Sequence, residues 1–220
     1  QYFSRYSLPL VPLLVVFAAI LMVEIHNWLR EWFAGHGQST RLAAIALAAL
    51  VVLAILPGLV SAVRFNYLIS QTDTRTLAKA WIEANLPEGA KIAVDWPVLT
   101  PPLATPEQPV PGSTRTYQVV SMMNPGGLWA RDLDWYRKKG IEYLIASSYV
   151  YSLQFPDLKT REEHNQFYTL LDQELVTLQE FWPNTSHTDT DFILDESYGP
   201  IISLWQRERP GPTIKIYRLQ

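Results

Sequence analysis

The stretch Leu42–Val63, LAAIALAALVVLAILPGLVSAV, carries no charged side chain for about 22 residues. A helix needs roughly 20 apolar residues to cross the hydrocarbon core of a bilayer. A helix on the surface of a soluble core keeps a polar stripe at helical spacing, whereas this one is apolar on every side. Pro57 and Gly58 interrupt it near its end, a break that membrane helices tolerate better than soluble ones. It is read as a transmembrane helix; the alternative is the central helix of a soluble bundle.

A second uncharged run, Leu8–Val23, precedes it. Extended to about 7–25, it reaches spanning length, and Pro9 and Pro12 fall in its opening turns, where a missing N–H costs least. The connection Glu24–Arg41 carries Trp28 and Trp32 four residues apart. They are expected to form an interfacial belt on a short amphipathic helix that Gly35 and Gly37 end. Residues 1–69 are thus expected to form a transmembrane hairpin with spans at about 7–25 and 42–63. Arg30 and Arg41 in the connection balance Arg5, Arg64 and Arg75 on the other side. The positive-inside rule therefore gives no orientation.

From residue 70 to 220 the pattern becomes that of a small α/β domain. Thr72 or Asp73 caps a helix that buries Leu77, Ala78, Trp81, Ile82 and Leu86 and stops at Pro87-Glu88-Gly89. Lys91–Asp95 reads as a strand. Trp96–Thr116 holds six prolines, which predicts a long irregular loop or lid. A strand is expected at Tyr117–Val120 and a helix over Leu128–Lys139, with Gly140 at its C′ position. Ile141–Ser147 is apolar enough for a central strand. Thr160-x-x-Glu163 is a capping box that predicts a helix running to about Phe181. Two alternating segments, Ile201–Leu204 and Ile214–Leu219, are expected as strands about the turn Pro210-Gly211-Pro212.

Composition narrows the function classes. The net charge of −3 and the absence of a Lys/Arg run argue against a nucleic-acid partner. No cysteine is present, so disulfides, thiol catalysis and cysteine metal sites are excluded. His26, His36, His164 and His187 lack metal-binding spacing, and there is no P-loop or GxGxxG, so neither a metal nor a cofactor is expected. Pro125-Gly126-Gly127 has the form of an anion-binding helix start, though a plain turn explains it as well. Asp132 and Asp134, and Asp189, Asp191 and Asp195, are candidate acid/base carboxylates whose simpler reading is a solvated loop. Asn184-Thr185-Ser186 matches the glycosylation pattern. Arg5, flanked by Tyr2, Phe3 and Tyr6 just ahead of the first apolar run, has two readings: pairing with a phosphate at headgroup level, or anchoring the helix.

Arg5-Tyr6-x-Leu8-Pro9-x-x-Pro12 ahead of an apolar run resembles the RYxLPxxP start of a late transmembrane helix in GT-C superfamily glycosyltransferases. The branch in question includes protein O-mannosyltransferases and lipid A aminoarabinose transferases. Asp73-Thr74-Arg75 leading into Ala80–Gly89, then Gly140–Tyr149, and finally Gly199-Pro200-Ile201 with Ile214–Leu219 are similar to the tails of bacterial members. The resemblance implies a multi-pass cell-membrane enzyme that moves a sugar from a polyprenyl-phosphate carrier to an extracytoplasmic acceptor. It places the α/β domain outside the cytoplasm and Glu24–Arg41 inside. It assigns donor-phosphate binding to Arg5 and Tyr6. Family members carry their catalytic acidic residue in the first outward loop of a longer bundle, so the catalytic base is expected upstream of Gln1. The chain, which begins with Gln and shows no signal-peptide pattern, is accordingly expected to be a C-terminal fragment, inactive alone and partnered by the remaining N-terminal bundle and membrane lipids. The competing expectation is a membrane-anchored α/β binding or sensor module without catalysis.

Overall fold

The computed structural model describes residues 9–37, 39, 41–124, 126–153, 155, 157–190 and 202–219. The chain divides into two compact units, Gln1–Asn66 and Tyr67–Gln220.

The first unit is built on two long apolar helices, α1 (Val11–Gly35) and α2 (Arg41–Ile69), the second of which runs on into the next unit. At 1.5 Å per residue they measure about 37 and 43 Å, more than the roughly 30 Å of a bilayer core. Both are long and apolar enough to cross a membrane. No residue of α1 is buried, and Phe17 and Leu53 are each 67% exposed. Leaving a Val, Leu or Phe in water forfeits about 1.5–3 kcal/mol relative to burial, so surfaces like these point to membrane association. The expected break between span and connection is absent: Trp28 and Trp32 continue α1, which ends at Gly35. Pro12 sits in its first turn, as its fixed φ and missing N–H favour. Pro57 is accommodated inside α2 rather than ending it.

The second unit is a mixed sheet between helical layers. Its elements are α3 (Thr74–Asn85), β1 (Lys91–Val94), β2 (Gln118–Ser121), α4 (Leu133–Lys138), β3 (Tyr143–Ser147), α5 (Ser148–Tyr151), α6 (Leu158–Glu174), β4 (Val176–Phe181) and β5 (Ile214–Arg218). Among the described residues the strand order is β2-β1-β3-β5-β4. β1 pairs in parallel with β2 and β3, and β5 lies antiparallel to both β3 and β4. Period-2 alternation sorts the side chains. Ala93, Leu144, Ala146 and Tyr217 face α4 and α6 and join Tyr136, Phe167, Tyr168 and Leu171 in one core. Ile92, Val94, Ile145, Ile214 and Ile216 face the other way, onto Ala78, Ile82 and Leu86 of α3. β3 is central, as its apolar sequence predicts.

Local chemistry sets the element ends. Asp73 caps α3, its carboxylate accepting from Arg75 N at 2.8 Å. The proline-rich segment 96–116 is irregular apart from a 3-10 turn at Pro97–Leu99, yet it is pinned. Tyr117 N donates to Ala104 O, Ser147 Oγ to Leu99 O and Thr114 Oγ1 to Glu83 Oε2. Leu99, Leu103 and Ala104 are buried, so the segment is part of a packed layer.

Four expectations are corrected. Leu128–Lys139 is not one helix: a 3-10 turn at Leu128–Ala130 is followed by α4, capped by Asp132. The capping box at Thr160 does not form, because Asp157 is the N-cap and takes both Thr160 N and Thr160 Oγ1. The same helix ends at Glu174 rather than Phe181: β-branched Val176 and Thr177 open β4, which pairs with β5 instead. Ile202–Leu204 forms a turn, not a strand, since both edges of β5 are taken by β3 and β4. Ile201 lies outside the described residues.

Candidate functional site

In open α/β sheets ligands gather beyond the carboxyl ends of parallel strands, where connections diverge to either side. Here β1 connects to β2 on one side, and the chain then crosses back to β3 on the other. The residue just past the end of β1 is Asp95, fully buried. Its Oδ1 accepts from Leu128 N at 2.8 Å and Tyr168 Oη at 2.7 Å, and its Oδ2 accepts from Ser147 N at 3.0 Å. Burial pushes its pKa up to about 6, against the pull of those three hydrogen bonds. One carboxylate thus joins β1, the end of β3, α6 and the 3-10 turn.

The Gly126-Gly127 motif acquires its reason here. Gly127 has φ +133°, and a Cβ there would lie 3.0 Å from Val150 Cγ1 and 3.2 Å from Asp95 Oδ1. Only glycine lets the next amide, that of Leu128, reach the carboxylate. The anion received at this turn is the protein's own Asp95. With no exposed surface and all three donors internal, Asp95 acts as a structural tie rather than a base meeting substrate.

Comparison with protein-family models, curated proteins and solved structures finds no match for this chain. What the domain can do chemically therefore rests on its own cavities.

The larger cavity, about 730 Å³, lies between the proline-rich segment and the outer strands, against Pro97, Pro101, Leu103, Pro106, Val119 and Ser121. The second, about 370 Å³, is polar and lies on the α6 face of the sheet. Asn165, Tyr168, Thr169 and Asp172 reach it from one stripe of α6, and Lys215 and Tyr217 from alternate positions of β5. Tyr151 and Asp189 complete its wall. Asp172 accepts from Lys215 Nζ at 2.9 and 3.0 Å and from Tyr217 Oη at 2.6 Å. Asp189 Oδ1 accepts from Tyr151 Oη at 2.8 Å and Thr213 Oγ1 at 3.3 Å. Burial, reinforced by these carboxylates, raises both phenols well above the usual tyrosine range, so they stay protonated donors.

The sequence candidates are dispersed. Arg5, Tyr6, Asp191 and Asp195 lie outside the described residues. Asp132 caps α4 and Asp134 pairs with Arg137, so neither is placed for acid/base work. Asp189 lines the polar cavity. Asn184 is engaged in a turn, with Nδ2 donating to Thr188 O and Oδ1 accepting from Thr188 N. His187, at φ +52°, stacks on Trp182 at 5.8 Å. His164 is buried among Trp129, Phe155 and Tyr168, and burial lowers its pKa. Its Nε2 lies 3.2 Å from Val150 O, which only accepts, so that nitrogen carries the proton. Sequence reasoning missed Asp95, Asp172 and Lys215. The available sign was an acidic residue closing an apolar strand, KIAVD, ahead of a Gly-Gly turn.

Proposed function

We propose that this chain is the C-terminal part of an integral-membrane glycosyltransferase that moves a sugar from a polyprenyl-phosphate carrier to an extracytoplasmic acceptor. The observation that carries this reading is the order of parts. An RYxLPxxP lead-in runs into a helix that opens at Val11 with Pro12 in its first turn, a second apolar helix follows, and an α/β domain comes after both. That is the arrangement the family resemblance implies.

In this reading α1 and α2 cross the cell membrane and the α/β domain lies outside the cytoplasm. The catalytic carboxylate is contributed by the preceding membrane bundle and activates the acceptor. Arg5, with Tyr6 beside it, meets the lipid phosphate at headgroup level. A guanidinium pairs with phosphate through two parallel hydrogen bonds and neutralises the charge that grows as the glycosidic bond breaks. Lysine offers only a point charge.

The test is turnover of polyprenyl-phosphate sugar by membranes carrying the full-length protein. Arg5→Ala is expected to lower kcat/KM by about 100-fold or more, the size found when one transition-state donor is removed, with Arg5→Lys in between. Turnover equal to the parent in both variants removes the assignment of Arg5. Absence of any sugar transfer by the parent protein removes the enzyme reading and leaves the anchored binding module.

A further inference from the structure

The polar cavity on the α6 face has a specific chemical character. Tyr217 Oη and Lys215 Nζ donate hydrogen bonds to Asp172, and Tyr151 Oη donates one to Asp189. Tyr168 Oη is committed to Asp95, and Thr169 Oγ1 donates to Asn165 O at 2.9 Å. The remaining reach of Lys215 is toward Glu180, 3.8 Å away. The hydroxyls are thus committed to protein acceptors, and the ammonium is paired with Asp172 while keeping one further N–H. What they leave facing the cavity is acceptor: the spare lone pairs of Asp172 and Asp189 and the phenol oxygens. Asn165 adds one amide. Two carboxylates against one ammonium leave negative charge in excess, and that excess sits on Asp189, whose described partners, Tyr151 and Thr213, are neutral.

The aromatic wall suits the same ligand class. The rings of Tyr151 and Tyr168 lie 5.6 Å apart at 49°, and Lys215 Nζ already sits 5.9 Å from the Tyr151 centroid. Tyrosine faces attract ammonium groups, most strongly where water is partly excluded. An anionic ligand such as a phosphate meets the opposite: excess carboxylate and no uncommitted hydroxyl. About 370 Å³ is room for a small molecule.

We infer that this cavity is a binding site for a small primary-ammonium compound, held by Asp189 against the Tyr151 and Tyr168 rings. The site is independent of the glycosyl-transfer reading, and it excludes the lipid phosphate from this part of the domain. Asp189 is exposed and its two hydrogen bonds are retained by an asparagine oxygen, so charge can be removed there without disturbing the fold.

Isothermal titration of the full chain in non-ionic detergent at pH 7.5 tests this with two probes that differ by one group, 4-aminobutan-1-ol and butane-1,4-diol. The amine is expected to bind with one-to-one stoichiometry and the diol at least tenfold more weakly. Asp189→Asn is expected to weaken the amine about tenfold or more, the worth of one charge-assisted hydrogen bond. Asp134→Asn, which removes a charge of the exposed pair with Arg137, leaves binding unchanged. Equal binding of amine and diol, no saturable heat with the amine, or full affinity in Asp189→Asn each overturns the proposal. So does calcium displacing the amine stoichiometrically, which makes the site one for a metal ion.

Discussion

Replacing Asp95 with alanine is expected to destabilise the α/β unit by about 3–5 kcal/mol. The substitution strands three donors in the interior: Leu128 N, Ser147 N and Tyr168 Oη. Each buried donor left without a partner costs roughly 1–3 kcal/mol, and removing a buried charge offsets only part of that sum. Total stability for a domain is of order 5–15 kcal/mol, so a fall in Tm on the order of 10 °C is expected. Asp95→Asn separates the charge from the hydrogen bonds. Its pKa is raised from 3.8 to about 6 in the folded state, so the native protein holds a proton that the unfolded chain has released between those values. Stability therefore declines as pH rises from about 4 to 6 and then levels off, by up to about 3 kcal/mol for this group. The asparagine variant lacks that titration. The stability advantage of wild type over Asp95→Asn should narrow between pH 4.5 and 7.5 in denaturant titrations of the detergent-solubilised chain. A gap that stays constant or widens with pH contradicts the buried-carboxylate account.

Gly211→Ala is expected to cost about 2–5 kcal/mol, by backbone strain and collision together. Gly211 has φ +98°, and an added Cβ would stand 2.2 Å from Thr74 Oγ1 and 2.5 Å from Asp73 Oδ1. Those two residues start α3. Thr74 N donates to Pro210 O at 3.0 Å and Thr74 Oγ1 to Pro212 O at 2.6 Å, while Arg207 Nη1 donates to Gly211 O. The segment leading into β5 is thus fastened to the α3 N-cap across more than a hundred residues of sequence, and both ends shift if glycine is lost. Hydrogen exchange should show early loss of protection in α3 and β5 together. Protection equal to wild type in both elements means that the close approach does not exist in solution.

Much of the architecture was legible in local chemistry. A cap at Thr72 or Asp73, KIAV and IEYLIAS as strands, and the apolar length of α2 follow from side-chain type and period alone; the structure selects Asp73. The misreadings share a cause. Leu170, Leu171, Leu175, Leu178 and Phe181 keep helical spacing across a boundary, so periodicity could not see that Val176 and Thr177 begin an edge strand paired with β5. Ile201–Leu204 alternates like a strand, but the sheet has no free edge beside β5 to receive it. The cavity was the least visible feature. Asp172 carries no sequence signal and Asp189 reads as one of a solvated run, because their partners Lys215, Tyr217 and Tyr151 lie 43, 45 and 38 residues away.

In the proposed topology α1 and α2 span the membrane with the α/β domain outside. The absence of cysteine makes single-cysteine labelling direct. Ser39→Cys tests the connection between the helices, Val52→Cys the middle of α2 and Glu107→Cys the exposed proline-rich segment, each treated with a membrane-impermeant maleimide in intact cells and after permeabilisation. In this topology the cysteine at 107 is expected to react in intact cells, that at 39 only after permeabilisation, and that at 52 in neither. Reaction at 39 and 107 on the same side, or ready reaction at 52, contradicts it.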